Sequence, residues 1–285
     1  MSEVQSGLEG VVAFATEIAE PDKAGNALRY RGIDIEDLVG QVPFEQVWGL
    51  LVDGSFEPGL APAEPHPLRV RSGDPRVDVQ SALAMLAPEW GLRQLIDIPD
   101  RQAREDLARA SVMALSFVAQ SARGPDRPPV PQHEIDKADS IPGRFLTRWR
   151  GEADPIHTRA IDAYWISAAE HGMNASTFTA RVVASTGADV AAALSAAVGA
   201  LSGPLHGGAP ARVLAMLDEV ENLGDAERWV KSALDRGDRL MGFGHRVYRA
   251  EDPRARVLRR TARDLASPRF EVAEHLEQAA LAELH

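Results

Sequence analysis

Apolar residues recur every three or four positions along most of this chain, which is the spacing of an amphipathic α-helix. The pattern predicts helices over residues 34–38, 44–52, 77–86, 100–122, 141–149, 155–169, 176–185, 188–201, 211–222 and 226–234. Prolines interrupt it in residues 54–71 and 125–131, where we expect loops. Because sustained alternation of apolar and polar residues is almost absent, the predicted fold class is all-α.

The N-terminal region is the exception to the helical pattern. Alternating apolar residues between positions 7 and 18 are followed by a polar turn at residues 21–25 and by the segment 28–32. Short alternating segments on either side of a turn are typical of a β-hairpin. We therefore expect a small N-terminal hairpin before the helices begin.

An alanine-rich stretch and a glycine-rich loop divide the chain. Residues 190–203 are apolar and small, and this stretch is too short to cross a bilayer. It predicts a buried helix that can closely approach another helix or a second subunit. Glycines and prolines in residues 202–210 then mark a boundary. We expect two domains, a large helical one over residues 1–205 and a small, incomplete one over residues 206–285.

Composition narrows the classes of function. A chain of 285 residues with 45% apolar side chains can bury a large core, and its net charge of −11 disfavours nucleic acid or anionic lipid as a partner. It contains no cysteine, which excludes disulfides, thiolate nucleophiles and cysteine-ligated metals. The first ten residues lack the basic start and apolar core of a signal peptide, so we expect a cytoplasmic protein with no membrane contact.

Three of the eight histidines stand beside glycine, in segments that can bend sharply. They are His171, His206 and His245, and any one of them alone is more often a helix cap or a turn residue. None is paired at i, i+4 and none has a close carboxylate partner, so zinc is a minor alternative. A simpler interpretation is that these imidazoles, near arginines, act as hydrogen-bond donors and proton carriers for a small anionic substrate.

Arginine is concentrated after the third histidine. Residues 246–263 contain seven arginines against Glu251 and Asp252, a local charge of +5. The last four arginines have the spacing of one helix face, which is usually solvated. Arg254 instead follows Asp252-Pro253, a helix start that would direct it towards the histidine loop. The lack of interleaved aromatic residues argues against a nucleic-acid-binding helix.

Five segments follow one another along the chain: Leu28-Arg29-Tyr30-Arg31-Gly32-Ile33-Asp34-Ile35-Glu36-Asp37-Leu38, Phe44-Glu45-Gln46-Val47-Trp48, Glu170-His171-Gly172-Met173-Asn174-Ala175-Ser176-Thr177-Phe178, residues 203–210 and residues 242–254. In this order they resemble the motifs of citrate synthases. The resemblance spans most of the chain, and the combination is highly specific, although residues 58–75 and 124–139 show no such similarity.

The resemblance implies a mostly helical, two-domain homodimer that condenses oxaloacetate with the methyl carbon of acetyl-CoA and hydrolyses the citryl-CoA formed. Acetyl-CoA is then a substrate, and neither a bound cofactor nor a metal is required. By position in the motifs, His206 resembles the imidazole that hydrogen-bonds the thioester oxygen, and His245 the proton donor to the oxaloacetate carbonyl. The resemblance assigns oxaloacetate binding to His171, Asn174 and Arg254, and a coenzyme A contact to Arg249.

One feature of the family has no counterpart in these residues. Citrate synthases also use an aspartate that takes the methyl proton, together with further arginines, well downstream of the His245 motif. Asp264 is the only aspartate after Asp252, and its setting is typical of a helix surface. We therefore expect the chain to stop inside the second domain and to have little activity by itself.

Two other functions stay open at the level of sequence. A 2-methylcitrate synthase would use propionyl-CoA, and one extra methylene changes binding by only about 1–3 kcal/mol, too little for these residues to reveal. A non-catalytic relative that binds oxaloacetate or coenzyme A would have less need of both His206 and His245.

Overall fold

The computed structural model describes residues 15–22, 27–243 and 252–284. Three short strands come first: Ala19–Pro21 (β1), Leu28–Tyr30 (β2) and Ile33–Asp34 (β3). The helices are Ile35–Leu38 (α1), Phe44–Asp53 (α2), Pro75–Trp90 (α3), Asp100–Arg123 (α4), Gln132–Ile135 (α5), Ile141–Arg150 (α6), Pro155–Ala168 (α7), Ala175–Ser185 (α8), Val190–Leu201 (α9), Pro210–Leu223 (α10), Ala226–Asp235 (α11), Pro253–Asp264 (α12) and Phe270–Leu284 (α13). Leu95–Asp97 adds a turn of 3-10 helix between α3 and α4.

The mostly helical prediction is confirmed, and the local caps refine the helix ends. Helix α3 begins at Pro75 because the Asp74 side chain accepts hydrogen bonds from the backbone N–H groups of Arg76 and Val77. It ends at Gly91, whose φ of 63° is left-handed. The helix is therefore longer at both ends than its apolar spacing predicts, since capping residues rather than hydrophobic positions set its limits.

The predicted small N-terminal hairpin is present as the β1–β2 pair and is extended by a third strand, while positions 7–14 of the predicted alternating segment lie outside the described residues. Strand β1 pairs with β2, and β2 pairs with β3, so the described sheet has three antiparallel strands in the order β1-β2-β3. Tyr30 is paired with Ala19 on one side and with Ile33 on the other. The third strand has only two residues, too few for an alternating pattern to indicate it.

Helices α3, α4 and α9 enclose an apolar cluster that includes Leu83, Phe117 and Ala191. Helix α9 approaches α3 so closely that a Cβ on Gly199 would lie 2.8 Å from the side-chain nitrogen of Gln80. The alanine-rich stretch is thus a helix packed tightly on its neighbour, as its small side chains predict, while part of its surface stays accessible.

The N-terminal sheet packs on α1, α2, α7 and α12. Tyr30 is fully buried, and its hydroxyl donates to the carbonyl oxygen of Ile166 at 2.7 Å. Val257 of α12 is fully buried in the same cluster. Arg256 donates to Glu36 of α1 at 2.7 Å. Helix α12 is therefore anchored on elements from the first part of the chain.

A separate cluster around Trp229, Val230 and Leu276 joins α10, α11 and α13. The division into domains at residues 205 and 206 stays a prediction. Within the described residues, no helix is both long enough and apolar enough to cross a membrane.

Candidate active site

The turn between α7 and α8 carries the first of the three histidines. Gly172 and Met173 have left-handed φ angles of 86° and 60°, which turn the chain sharply after His171. A Cβ at position 172 would lie 2.7 Å from the ring of Pro21, next to the sheet. Asn174 then caps α8 by accepting a backbone N–H from its first turn. His171 is thus fixed at the start of a tight turn that rests against β1.

A buried carboxylate closes this turn. Glu170 is only 8% exposed, and its Oε1 accepts the backbone N–H of His171 at 2.8 Å and the amide nitrogen of Asn174 at 3.3 Å. Its Oε2 accepts the hydroxyl of Thr177. Its own backbone N–H donates to the hydroxyl of Tyr30 at 3.3 Å. The turn is therefore tied to the sheet at one end and to α8 at the other.

His206 lies in the loop between α9 and α10, where two glycines let the backbone fold back on the end of α9. A Cβ on Gly207 would lie 2.5 Å from the side chain of Leu201, and one on Gly208 would lie 2.5 Å from the carbonyl oxygen of Ser202. Any other residue would collide with these atoms. The glycines that drew attention in the sequence are therefore required by the close approach of this loop.

The two histidine loops meet at Ser176. Nε2 of His206 lies 2.8 Å from Ser176 Oγ and 3.3 Å from the Ser176 backbone nitrogen, which donates to it. The roles of Nε2 in these two contacts follow the tautomer: Nε2 accepts the Ser176 N–H when the ring proton is on Nδ1, and donates to Ser176 Oγ when the proton is on Nε2. Burial lowers the pKa of His206, and the negative charge of Glu170 partly opposes that shift. The surroundings therefore favour a neutral imidazole.

A cavity of about 530 Å³ opens beside the loop of His206. The two residues before His206 form part of its wall, and Arg212, Arg236 and Arg239 line it from α10 and from the segment after α11. The sequence did not single out these three arginines as candidate binding residues, because they lie outside the arginine-rich segment 246–263. The basic turn directly before the third histidine motif was the signal available.

Arg254 stands in the first turn of α12, as its sequence setting predicts. Asp252 caps this helix by accepting the backbone N–H of Arg254 at 3.0 Å, and it also accepts the Arg254 guanidinium at 2.6 Å. Other arginines of α12 are partly exposed and paired with glutamates, as Arg256 is with Glu36. The arginine-rich helix therefore lies among acidic partners instead of presenting an unpaired basic face.

The remaining predicted residues are His245, Arg249 and Asp264. His245 and Arg249 fall outside the described residues. Asp264 is exposed at the last position of α12, in agreement with its sequence setting. In the part of the chain that the structure describes, no group of three or more histidine, aspartate or glutamate side chains is placed to hold a metal ion. The described site is an imidazole held by an ordered turn, with arginines nearby.

Known proteins are similar in sequence to this chain over nearly its whole length. The family model of the citrate synthase C-terminal domain matches residues 7–285. The protein named "Putative citrate synthase 2" from Mycobacterium tuberculosis is 72% identical over 279 residues, which cover 98% of this chain and 75% of the relative. The citrate synthase of Haloferax volcanii is 35% identical over 280 residues, 90% of this chain and 73% of the relative.

A solved structure extends the similarity to three dimensions. The ternary complex of carboxymethyl coenzyme A and oxaloacetate with the citrate synthase of Thermoplasma acidophilum superimposes with a TM-score of 0.83 at 27% sequence identity. The match covers 99% of this chain and 79% of that chain. The chain has the citrate synthase fold and belongs to the citrate synthase family.

Proposed function

We propose that this protein condenses oxaloacetate with the methyl carbon of acetyl-CoA to give citrate and CoA, as a cytoplasmic homodimer. The observation that carries the proposal is the His206 imidazole, which is held against Ser176 through Nε2 and favoured in its neutral form by burial. We assign it the tautomer in which Nε2 accepts the Ser176 N–H and Nδ1–H is the donor. Removing a proton next to a thioester carbonyl places negative charge on that oxygen. A donor already fixed in position stabilises this charge without having to reorganise.

The electrophile of the proposed reaction is a ketone that carries two carboxylates. His171 and Arg254 suit these carboxylates as charge-assisted or neutral donors, and each is already held, by its turn and by Asp252 respectively. The amide of Asn174 is engaged by Glu170 and by Ser176 within the turn. We therefore propose that the main role of Asn174 is to support the turn. Its contact with oxaloacetate stays a prediction. The roles of His245 and Arg249 stay predictions.

The cavity beside His206 is the space we assign to coenzyme A. Coenzyme A carries several phosphate charges, and Arg212, Arg236 and Arg239 supply positive charge along the wall. Two acids, Glu219 and Asp238, reduce this charge without cancelling it. The condensation requires the acyl end of such a ligand to reach the imidazole, which directly follows the lining residues Pro204 and Leu205 in the same loop.

The homodimer is supported by exposed apolar side chains on three helices that pack together. Met85 of α3, Val182 of α8 and Leu201 of α9 are each 45–47% exposed. Helix α9 packs on both α3 and α8. Large apolar side chains on one group of helices suit a partner surface of the same kind, as in a two-fold dimer.

We assign the base that takes the methyl proton to none of the described residues. Asp264 is exposed on the last turn of α12, and a carboxylate in water is a weak base for a carbon acid. We therefore expect these 285 residues alone to release CoA about 10²–10⁴-fold more slowly than an enzyme with a positioned base. Robust citrate formation by the 285-residue chain would refute this expectation.

The proposal is tested by oxaloacetate-dependent release of CoA from acetyl-CoA, together with calorimetric binding of carboxymethyl coenzyme A. We expect binding that strengthens with oxaloacetate and a slow release of CoA that His206→Ala removes. The exposed His133 on α5 provides a control, because His133→Ala should change neither quantity. The absence of both binding and release in the unaltered chain would overturn the proposal.

The same assay decides the acyl donor. We expect kcat/KM for acetyl-CoA to exceed that for propionyl-CoA. The opposite preference would make the protein a 2-methylcitrate synthase. Binding without any His206-dependent release would instead indicate a non-catalytic member of the family.

A further inference from the structure

Glu170 takes no part in the proposed chemistry, yet it is among the most buried acidic side chains of the described residues. A carboxylate removed from water is destabilising unless donors replace the water. Glu170 has three such donors, on His171 and Asn174 of the turn that directly follows it and on Thr177 in the first turn of α8. Its burial is therefore matched to one short segment, the one that carries the first histidine.

The hydrogen bonds continue from this carboxylate to the second histidine. Because Glu170 accepts the Asn174 amide nitrogen, the amide oxygen of Asn174 points the other way, where it accepts the Ser176 hydroxyl at 2.7 Å and a backbone N–H of α8 at 3.0 Å. Ser176 in turn contacts Nε2 of His206. One carboxylate thus fixes an amide, and the amide fixes the serine against the imidazole.

We propose that Glu170 is a positioning residue that sets the geometry of the His171 turn and the placement of Ser176 against His206, and whose negative charge acts on that imidazole. The inference rests on the proposed function for its catalytic meaning, but the arrangement itself does not depend on turnover. Glu170 touches neither substrate nor reacting atoms in this account. It acts through Asn174 and Ser176, and through its negative charge.

The electrostatic part of the inference has a definite sign. Among the described charged groups, Glu170 is the one whose charge acts on His206, and it raises the pKa that burial lowers. Ser176, the group that contacts Nε2 directly, is neutral. Removing the negative charge should therefore lower the pKa of His206 further and shift the imidazole towards its neutral form at any given pH.

The test is an NMR titration of the histidine Cε1–H resonances in the 285-residue chain, with His206 assigned from its substitution. Glu170→Gln keeps the side-chain length and removes the charge. We expect the midpoint of His206 to move to lower pH, whereas the exposed His133 keeps its midpoint. Asp78→Asn is the matched control, because Asp78 is another buried carboxylate with three hydrogen bonds, made to Ser72 and Ser121. It should leave the midpoint of His206 unchanged.

A second pair of variants keeps the inference testable if Glu170→Gln does not fold. Thr177→Val removes the hydroxyl that Glu170 accepts, and Thr177→Ser retains it. We expect the amide hydrogens of His171 and Ser176 to exchange about tenfold faster in Thr177→Val, with no change for amides within α3. Thr177→Ser should exchange like the unaltered chain.

Two results would overturn the inference. One is a His206 midpoint that does not move in Glu170→Gln, or that moves equally in Asp78→Asn. The other is faster exchange throughout the chain in Thr177→Val, which would show a general loss of stability. Because neither measurement uses turnover, a chain that titrates as expected but releases no CoA would contradict the proposed function and leave the role of Glu170 intact.

Discussion

Helix α7 has a buried carboxylate site just after its end and another within it, and the two sites differ in how many hydrogen-bond donors surround the carboxylates. Glu170, just after the end of the helix, accepts hydrogen bonds from three donors. Asp162, inside the helix, accepts only the backbone N–H of Phe44 at 2.9 Å among the described hydrogen bonds, and it faces the carboxylate of Glu45. One oxygen of Glu45 is buried without a partner in the described part of the chain.

The two sites differ in the effect of carboxylate charge on the stability of the fold. Burial, together with the nearby charge of Glu45, raises the pKa of Asp162 to about 6, and the hydrogen bond from Phe44 opposes this rise. Burial also raises the pKa of Glu45. A carboxylate with three donors can organise a loop, whereas two facing carboxylates with an unpaired oxygen are destabilising when both are ionised. Changes near Glu170 should therefore alter function, and changes at Asp162 and Glu45 should alter stability.

The largest expected effect is the loss of the imidazole at the end of the Glu170 network. His206→Ala should slow the release of CoA about 10²–10⁴-fold, because the thioester oxygen loses its donor. Rate assays at saturating oxaloacetate measure this loss, and urea unfolding should show little change in stability. A rate within about threefold of the unaltered chain would contradict the role given to His206.

A smaller loss is expected from the serine that contacts the imidazole. Ser176→Ala removes the hydroxyl 2.8 Å from Nε2 but keeps the backbone N–H, so we expect about a tenfold fall in kcat, roughly 1.4 kcal/mol. Ser185→Ala on the same helix is the matched control, since the Ser185 hydroxyl bonds only the local carbonyl of Val182. Equal effects of the two variants would show that the hydroxyl of Ser176 has no special part.

The acidic pair should show the reverse behaviour. Asp162→Asn can keep the hydrogen bond from Phe44 while removing a charge whose pKa rises from 3.8 to about 6. A raised carboxyl pKa stabilises the fold at low pH, and this stability is lost as pH rises through about 6. The full shift would correspond to roughly 3 kcal/mol, but partial exposure reduces it, and we expect a gain of about 1 kcal/mol at pH 8.

Urea unfolding at pH 8 and pH 4 measures this gain, which should shrink at the lower pH. Asp154→Asn on the same helix is the control, because hydrogen bonding by the backbone N–H of His157 lowers the pKa of Asp154. That variant should therefore show no gain at pH 8. A stabilisation by Asp162→Asn that is equal at both values of pH would contradict the electrostatic explanation.

The smallest effect expected is the coupling between the two acids. Glu45→Gln removes the like charge that faces Asp162, so the gain from Asp162→Asn should fall by about 0.5 kcal/mol in the double variant. A double-mutant cycle of unfolding free energies at pH 8 measures the coupling. Strict additivity would place the origin of the raised pKa of Asp162 in burial alone.

Much of the fold and part of the site follow from local sequence. The apolar periodicity predicts the helices from α2 to α11 apart from the four-residue α5, because a helix face records its burial in the sequence itself. The glycines beside His171 and His206 point to sharp turns, and the structure gives a steric reason for them. The two-residue β3 and the arginines of the cavity were missed, because neither has a local pattern.

Contacts between distant segments were beyond the reach of such patterns. Nothing in the sequence near Ser176 indicates that it meets His206, and nothing near Asp162 indicates the facing Glu45. In the sequence, Glu170 stands out only as part of the first histidine motif, since a single acidic residue has no periodicity that would reveal its burial. These contacts depend on how α7, α8 and the α9–α10 loop pack against one another.

The sequence by itself determined the helical class, the histidine turns and the resemblance to citrate synthases, since these depend on local spacing and residue type. The tertiary structure decided the rest. It brought Nε2 of His206 to Ser176, gave Glu170 three donors and left one buried oxygen of Glu45 without a partner in the described part of the chain. The physical reason is that burial and hydrogen-bond supply belong to the packed arrangement of several helices, and this arrangement alone sets the free energy of each charge.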